Sequence, residues 1–148
     1  MKLESQNEFI RGTITGSVSA TVICLLLEVF EWLGLAKHCW LFMAGQSIMQ
    51  FKHTAPQVAF AFLIHLGVGS FWGIIIAFLF SRVLTERHFI LKSMVIGSII
   101  FFFHLGILPK VLSYPPILRS ETSTLSIIFL SYMVYSVLTS IILNKLPH

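Results

Sequence analysis

Charge is scarce in this chain: Asp, Glu, Lys and Arg together make up 11% of its 148 residues. A water-exposed surface of ordinary density cannot be built from so few ionised groups, so a soluble globular domain is excluded. The Lys and Arg that are present are spread one or two per loop rather than clustered, which argues against a nucleic-acid partner. Cysteine is equally sparse. Cys24 lies inside the first apolar stretch and Cys39 in the loop after it, so a disulfide between them is not expected, and Cys24 reads as a small packing residue. Catalytic signatures are missing too: there is no Gly-x-Ser-x-Gly, no Glu-x-x-His, no Cys-x-x-Cys-His, and no nucleophile–base arrangement to suggest an enzyme. The polar segment Met1–Arg11, followed by an overlong apolar run without a clear cleavage site, does not read as a cleaved secretory signal. No internal repeat and no low-complexity tract is visible.

What is abundant is apolar side chain. The sequence is 56% hydrophobic with a mean hydropathy of +0.88, and the bilayer must serve as its solvent. Four stretches, roughly 12–35, 58–83, 90–112 and 124–143, each reach the ~20 residues that a helix needs to cross ~30 Å of hydrocarbon. The expected fold is therefore all-α: a single domain, residues 1–148, forming a bundle of four transmembrane helices. The formal net charge of +4 suits basic loops lying against anionic lipid. With both termini cytoplasmic, the inner loops carry Lys2, Arg11, Arg82, Arg87, Lys92 and Lys145, against Lys37, Lys52, Lys110 and Arg119 outside, which favours that orientation. Between the first two spans, Trp40–Phe51 is apolar but too short to cross, and predicts an interfacial or re-entrant helix. The Pro115–Pro116 loop cannot be helical, and Ser120 or Thr122 can cap the fourth helix.

Small residues recur at helical spacing. The first span carries Gly12, Gly16, Ala20, Cys24 and Glu28; the second His65, Gly69, Gly73 and Ala77; the third Ser93, Gly97 and Phe101; the fourth Tyr132, Ser136 and Ser140. Such stripes let helix backbones approach closely, which drives packing in lipid. An exposed Gly69–Gly73 face would also suit assembly with a second copy or with a partner membrane subunit.

Three spans hold an ionisable residue within hydrocarbon length: Glu28, His65 and His104. Such a group costs roughly 2.5–3.5 kcal/mol on insertion scales and normally faces protein, water or a ligand. By helical rise, His65 lies roughly 10 Å below the outer start of its span and His104 about 7 Å below Pro109. Glu28 and Glu31 occupy the last two turns of the outward-running first span. All four fall in the same outer half of the bundle, with Tyr132 beside them, and a shared polar pocket explains that coincidence.

The chemistry of such a pocket has three readings. A buried carboxylate–imidazole pair would fix helix packing. His65, His104 and Glu28 could instead ligate a transition metal, or the two histidines could hold a haem with Gly67, Gly69 and Gly106 leaving room for the ring. Alternatively, the same groups could pass protons or a small cation, with an oligomer or partner completing the path.

The layout resembles the YqhR-like small four-helix membrane proteins of Gram-positive bacteria. The resemblance rests on Gly12-x-x-x-Gly16, the aromatic segment Trp40–Phe51, Pro109 closing the third span, and Ser131-Tyr132-Met-Val-Tyr135 in the fourth. It implies a four-helix fold in the bacterial cytoplasmic membrane, and no particular activity.

Overall fold

The computed structural model describes residues 2–37, 44, 45, 52, 54–84, 87–108 and 122–146. It is all-helical, with four helices long and apolar enough to cross a membrane. In chain order these are α1 (Lys2–Trp32), α2 (Ala55–Arg82), α3 (Phe89–Phe102) with a π-helical continuation over Phe103–Ile107, and α4 (Thr122–Lys145). Each overlaps one of the four expected spans; α1 begins ten residues before the expected start, and residues 109–112 of the expected third span lie outside the described residues. The expected interfacial helix falls almost entirely outside the described residues; of it, Ala44 and Gly45 are described and are helical.

Helix ends follow from local chemistry. α1 stops where Gly34 takes φ +70°, a left-handed conformation that glycine adopts without steric cost. The Gly34 N–H then reaches Glu31 O and the Leu35 N–H reaches Phe30 O, both at 2.9 Å, which satisfies two of the terminal carbonyls. α2 begins after Thr54 with Pro56 in its first turn, where a missing N–H is harmless. The π-turn at the end of α3 closes with the Leu108 N–H on Phe103 O. Pro109 follows in the sequence and has no N–H to continue an α-helical ladder, so a break in α-geometry is expected here.

In packing, α1 lies mainly against α2 and α3 mainly against α4, while α1 and α4 join the two pairs; α2 also touches α4. The α1–α2 seam is antiparallel and glycine-lined. A Cβ added to Gly12 would lie 2.5 Å from the Ile74 Cα, one added to Gly16 would strike the Gly69 carbonyl, and one added to Gly73 would strike the Gly12 carbonyl. Backbone therefore meets backbone along this seam. The Gly69–Gly73 face, expected to be exposed for assembly, is instead consumed within the chain: both residues are buried against α1. The correction has a plain physical cause, because Gly12-x-x-x-Gly16 on α1 is the complementary surface nearest in sequence. Gly97 performs the same service between α3 and α4, where an added Cβ would lie 2.5 Å from the Tyr132 carbonyl oxygen.

The ends of α1 and α4 are tied as well. The Arg11 guanidinium donates through Nη2 to Leu143 O at 2.9 Å and Leu146 O at 3.2 Å, and through Nη1 to Glu8. A cation at the C-terminus of α4 also complements the helix dipole. At the far end, the Lys37 N–H donates to Thr124 Oγ1 at 3.3 Å. The start of α1 and the end of α4 therefore share one face of the bundle.

Candidate functional site

The structure gives the two histidines singled out from sequence different hydrogen-bond partners. His65 is buried on α2, and its Nε2 lies 3.0 Å from Ala20 O on α1. A carbonyl can only accept, so this nitrogen carries the proton and donates. The bond is an interhelical tie made where Gly69, one turn on, lets α1 approach to Ala20.

His104 lies within the π-helical turn. The Trp72 indole N–H of α2 points to His104 Nε2 at 3.1 Å, and the Tyr132 hydroxyl of α4 lies 2.6 Å from His104 Nδ1. An indole N–H can only donate, so Nε2 is the bare nitrogen of a neutral ring. Nδ1 then holds the proton and donates to the tyrosine oxygen. The two histidines are thus held in opposite tautomers by their partners. Aromatic edges surround the chain: Trp72 meets Phe103 and Phe71 edge-on, and Phe101 meets Tyr132 in the same manner, an arrangement favoured by ring quadrupoles.

The hydrogen bonds that define this arrangement do not include Glu28. His65 reaches α1 at Ala20, and Glu28 lies eight residues farther along, about 12 Å by helical rise. Glu28 is half-buried on α1. Glu31, one turn nearer the end of the helix, is also half-buried, and its Oε2 is enclosed without a hydrogen-bond partner among the described residues. Of the expected pocket, then, His104 and Tyr132 are brought together, His65 is bonded to α1, and the two glutamates lie towards the end of α1.

This arrangement bears directly on metal and haem chemistry. A ligating imidazole must offer a lone pair; at His104 the Nε2 lone pair is taken by the Trp72 N–H, while at His65 the Nε2 proton goes to Ala20 O and the lone pair belongs to Nδ1. Among the described residues no three His, Cys, Asp or Glu side chains group as a metal-binding set. Room for a ring is not provided by Gly69, which is filled by Ala20; Gly67 and Gly106 face outward with nothing within 4 Å of an added Cβ.

One participant was not singled out in the sequence. Trp72 sits in mid-span, away from the interface that tryptophan usually prefers, and seven residues after His65, which puts both on one side of α2; that combination was the available signal. Tyr135 donates its hydroxyl to Gly69 O, linking α4 to α2. Hydroxyl pairs complete the ties: Ser17 with Ser70 between α1 and α2, and Ser93 with Ser140 between α3 and α4, each at 2.7 Å.

No family model, no curated protein and no solved structure matches this chain. What the fold and site define is a small polytopic membrane protein with cross-helix polar ties in its interior.

Proposed function

We propose that this protein is a non-enzymatic component of a membrane assembly, acting through association with itself or with a partner membrane subunit, and lodged in the bacterial cytoplasmic membrane with both termini cytoplasmic. The supporting observation is that the interior histidines, tyrosines and paired serines are matched to partners on neighbouring helices of the same chain. Their chemistry goes into holding four helices in one arrangement, and what the molecule offers to others is its outward surface. That surface is apolar, with Leu63, Phe71, Ile99 and Phe102 all strongly exposed. It is interrupted by outward-facing Gly67 on α2 and Gly106 on the π-turn, positions at which a neighbouring helix backbone can approach closely. The resemblance to YqhR-like proteins supports the envelope location, and the balance of Lys and Arg between the loops supports the inward termini.

Counting photobleaching steps of labelled protein in dilute lipid vesicles, together with cross-linking from Gly67→Cys in native membranes, tests the reading. The expected result is a fixed stoichiometry above one, or a single cross-linked partner of constant mass. A monomer under both conditions overturns it.

A further inference from the structure

We propose that the margin of α1 carrying Glu28 docks a membrane-spanning helix of a partner subunit, and that this helix presents a lysine or arginine at the depth of Glu28. The inference rests on the reading that the protein works within a membrane assembly; it adds the surface and the chemistry of the partner.

Spacing draws the surface. Thr13, Ser17 and Thr21 follow one another at i+4, and Glu28 lies seven residues beyond Thr21, so the four share one stripe of the helix. All four are half-buried. One flank of the stripe holds Gly16, Ala20 and Leu27, which are buried, and the other holds Val18, Leu25 and Val29, which are exposed. The stripe is therefore the border between the bundle interior and lipid. α2 reaches it from the buried side, where Ser17 and Ser70 share a hydrogen bond of 2.7 Å. The hydroxyls of this border are matched within the chain: Thr13 donates to Phe9 O and Thr21 to Ser17 O, each one turn back. Glu28 forms no hydrogen bond and no ion pair among the described residues.

Depth keeps the Glu28 carboxyl from water. Trp32, one turn farther along α1, is 84% exposed, and tryptophan favours the membrane–water interface. Glu28 lies about 6 Å from that level towards the bilayer centre. Side chains of a helix lean towards its N-terminus, and on α1 that direction leads away from Trp32, deeper into hydrocarbon. An ionisable group at such a border is costly unless it is paired. Charge then selects the partner. A two-fold contact between two copies sets each stripe against its counterpart, which brings acid to acid with no cation among the stripe's own members. A helix bearing lysine or arginine complements it, through charge-assisted hydrogen bonds that are the stronger kind.

The test uses the full-length protein in phosphatidylcholine vesicles with synthetic leucine–alanine helices as probes. One probe carries a single lysine at the depth of Glu28, the other a leucine there, and energy transfer between labels reads association. The lysine probe should bind about threefold to tenfold more tightly than the leucine probe, the range that interhelical hydrogen bonds in lipid supply. Glu28→Leu, a change on a half-buried outer position, should remove that difference. Equal binding of the two probes, or a lysine preference that survives Glu28→Leu, overturns the proposal. Equal binding by a protein that still counts above one copy by photobleaching would leave the assembly reading standing without this surface. A lysine preference in a protein that is otherwise monomeric would support the surface and count against assembly with a second copy.

Discussion

Trp72 and His104 join α2 to the π-turn of α3 through one hydrogen bond of 3.1 Å, across a seam where the two backbones do not pack closely and the Trp72 ring also meets Phe103. The helices are consecutive in the chain, yet each packs chiefly on another partner. The indole N–H therefore acts as a side-chain tie in place of a packed backbone seam. Replacing Trp72 by Phe removes the donor together with one ring of a half-buried indole. Interhelical hydrogen bonds in membrane proteins contribute ~0.6 kcal/mol on average and up to about 1.7, and the loss here should be at least that, with the lost ring packing added. Unfolding in mixed micelles measures it, and hydrogen exchange should show the greatest loosening at Phe103–Ile107.

The glycine seam predicts a sharp contrast between glycines of one helix. Gly73→Ala places a methyl against the Gly12 carbonyl and 2.6 Å from the Gly16 Cα, where only backbone can yield. A destabilisation of about 1–3 kcal/mol or more is expected, as for overpacking elsewhere. Gly67→Ala meets nothing within 4 Å and should be neutral or stabilising by up to ~1 kcal/mol, through the better helix propensity of alanine. Thermal stability in detergent distinguishes the two.

The four helices were legible in the sequence because length and apolarity alone define a membrane span. The stripes around Gly12, Gly16, Gly69 and Gly73 were legible as packing surfaces, since only small residues permit close helices. Which stripe meets which was not: a Gly-x-x-x-Gly pair looks alike whether its partner is the next helix or a second molecule. The polar centre was legible as residue types at similar depth, which brought His104 and Tyr132 to notice together. Depth carries no azimuth, however, so nothing in the spacing separated Glu28 from His65, and Trp72 passed as one more aromatic group. Arg11 was visible only as a basic flank, because its partners are the backbone carbonyls of Leu143 and Leu146, and backbone carbonyls leave no mark in a sequence.

Arg11 supplies a third prediction. Its Nη2 reaches the Leu143 and Leu146 carbonyls at the end of α4 while Nη1 holds Glu8. Lysine cannot reproduce that geometry, being a point charge on a flexible stem. Arg11→Lys should cost about 1.5–3 kcal/mol, the range for hydrogen bonds to charged groups, and Arg11→Met at least as much. Amide exchange near Asn144 and Lys145 should accelerate in both variants, whereas exchange at the Thr122 end of α4 should not change.

The Ser93–Ser140 pair offers a cleaner measure of coupling, because both side chains are small and buried. A double-mutant cycle to alanine should return a coupling of ~0.5–1 kcal/mol. A value near zero would show that the back-bonds of each serine to its own helix already satisfy it.

The tautomers of the two histidines, measured by ¹⁵N magnetic resonance on the protein in lipid, test most directly whether these side chains are ties between helices. Ties to Trp72, Tyr132 and Ala20 predict a neutral His104 protonated at Nδ1 with a bare Nε2, and a His65 protonated at Nε2. A metal-shifted imidazole nitrogen, or His104 protonated at Nε2, would contradict that role.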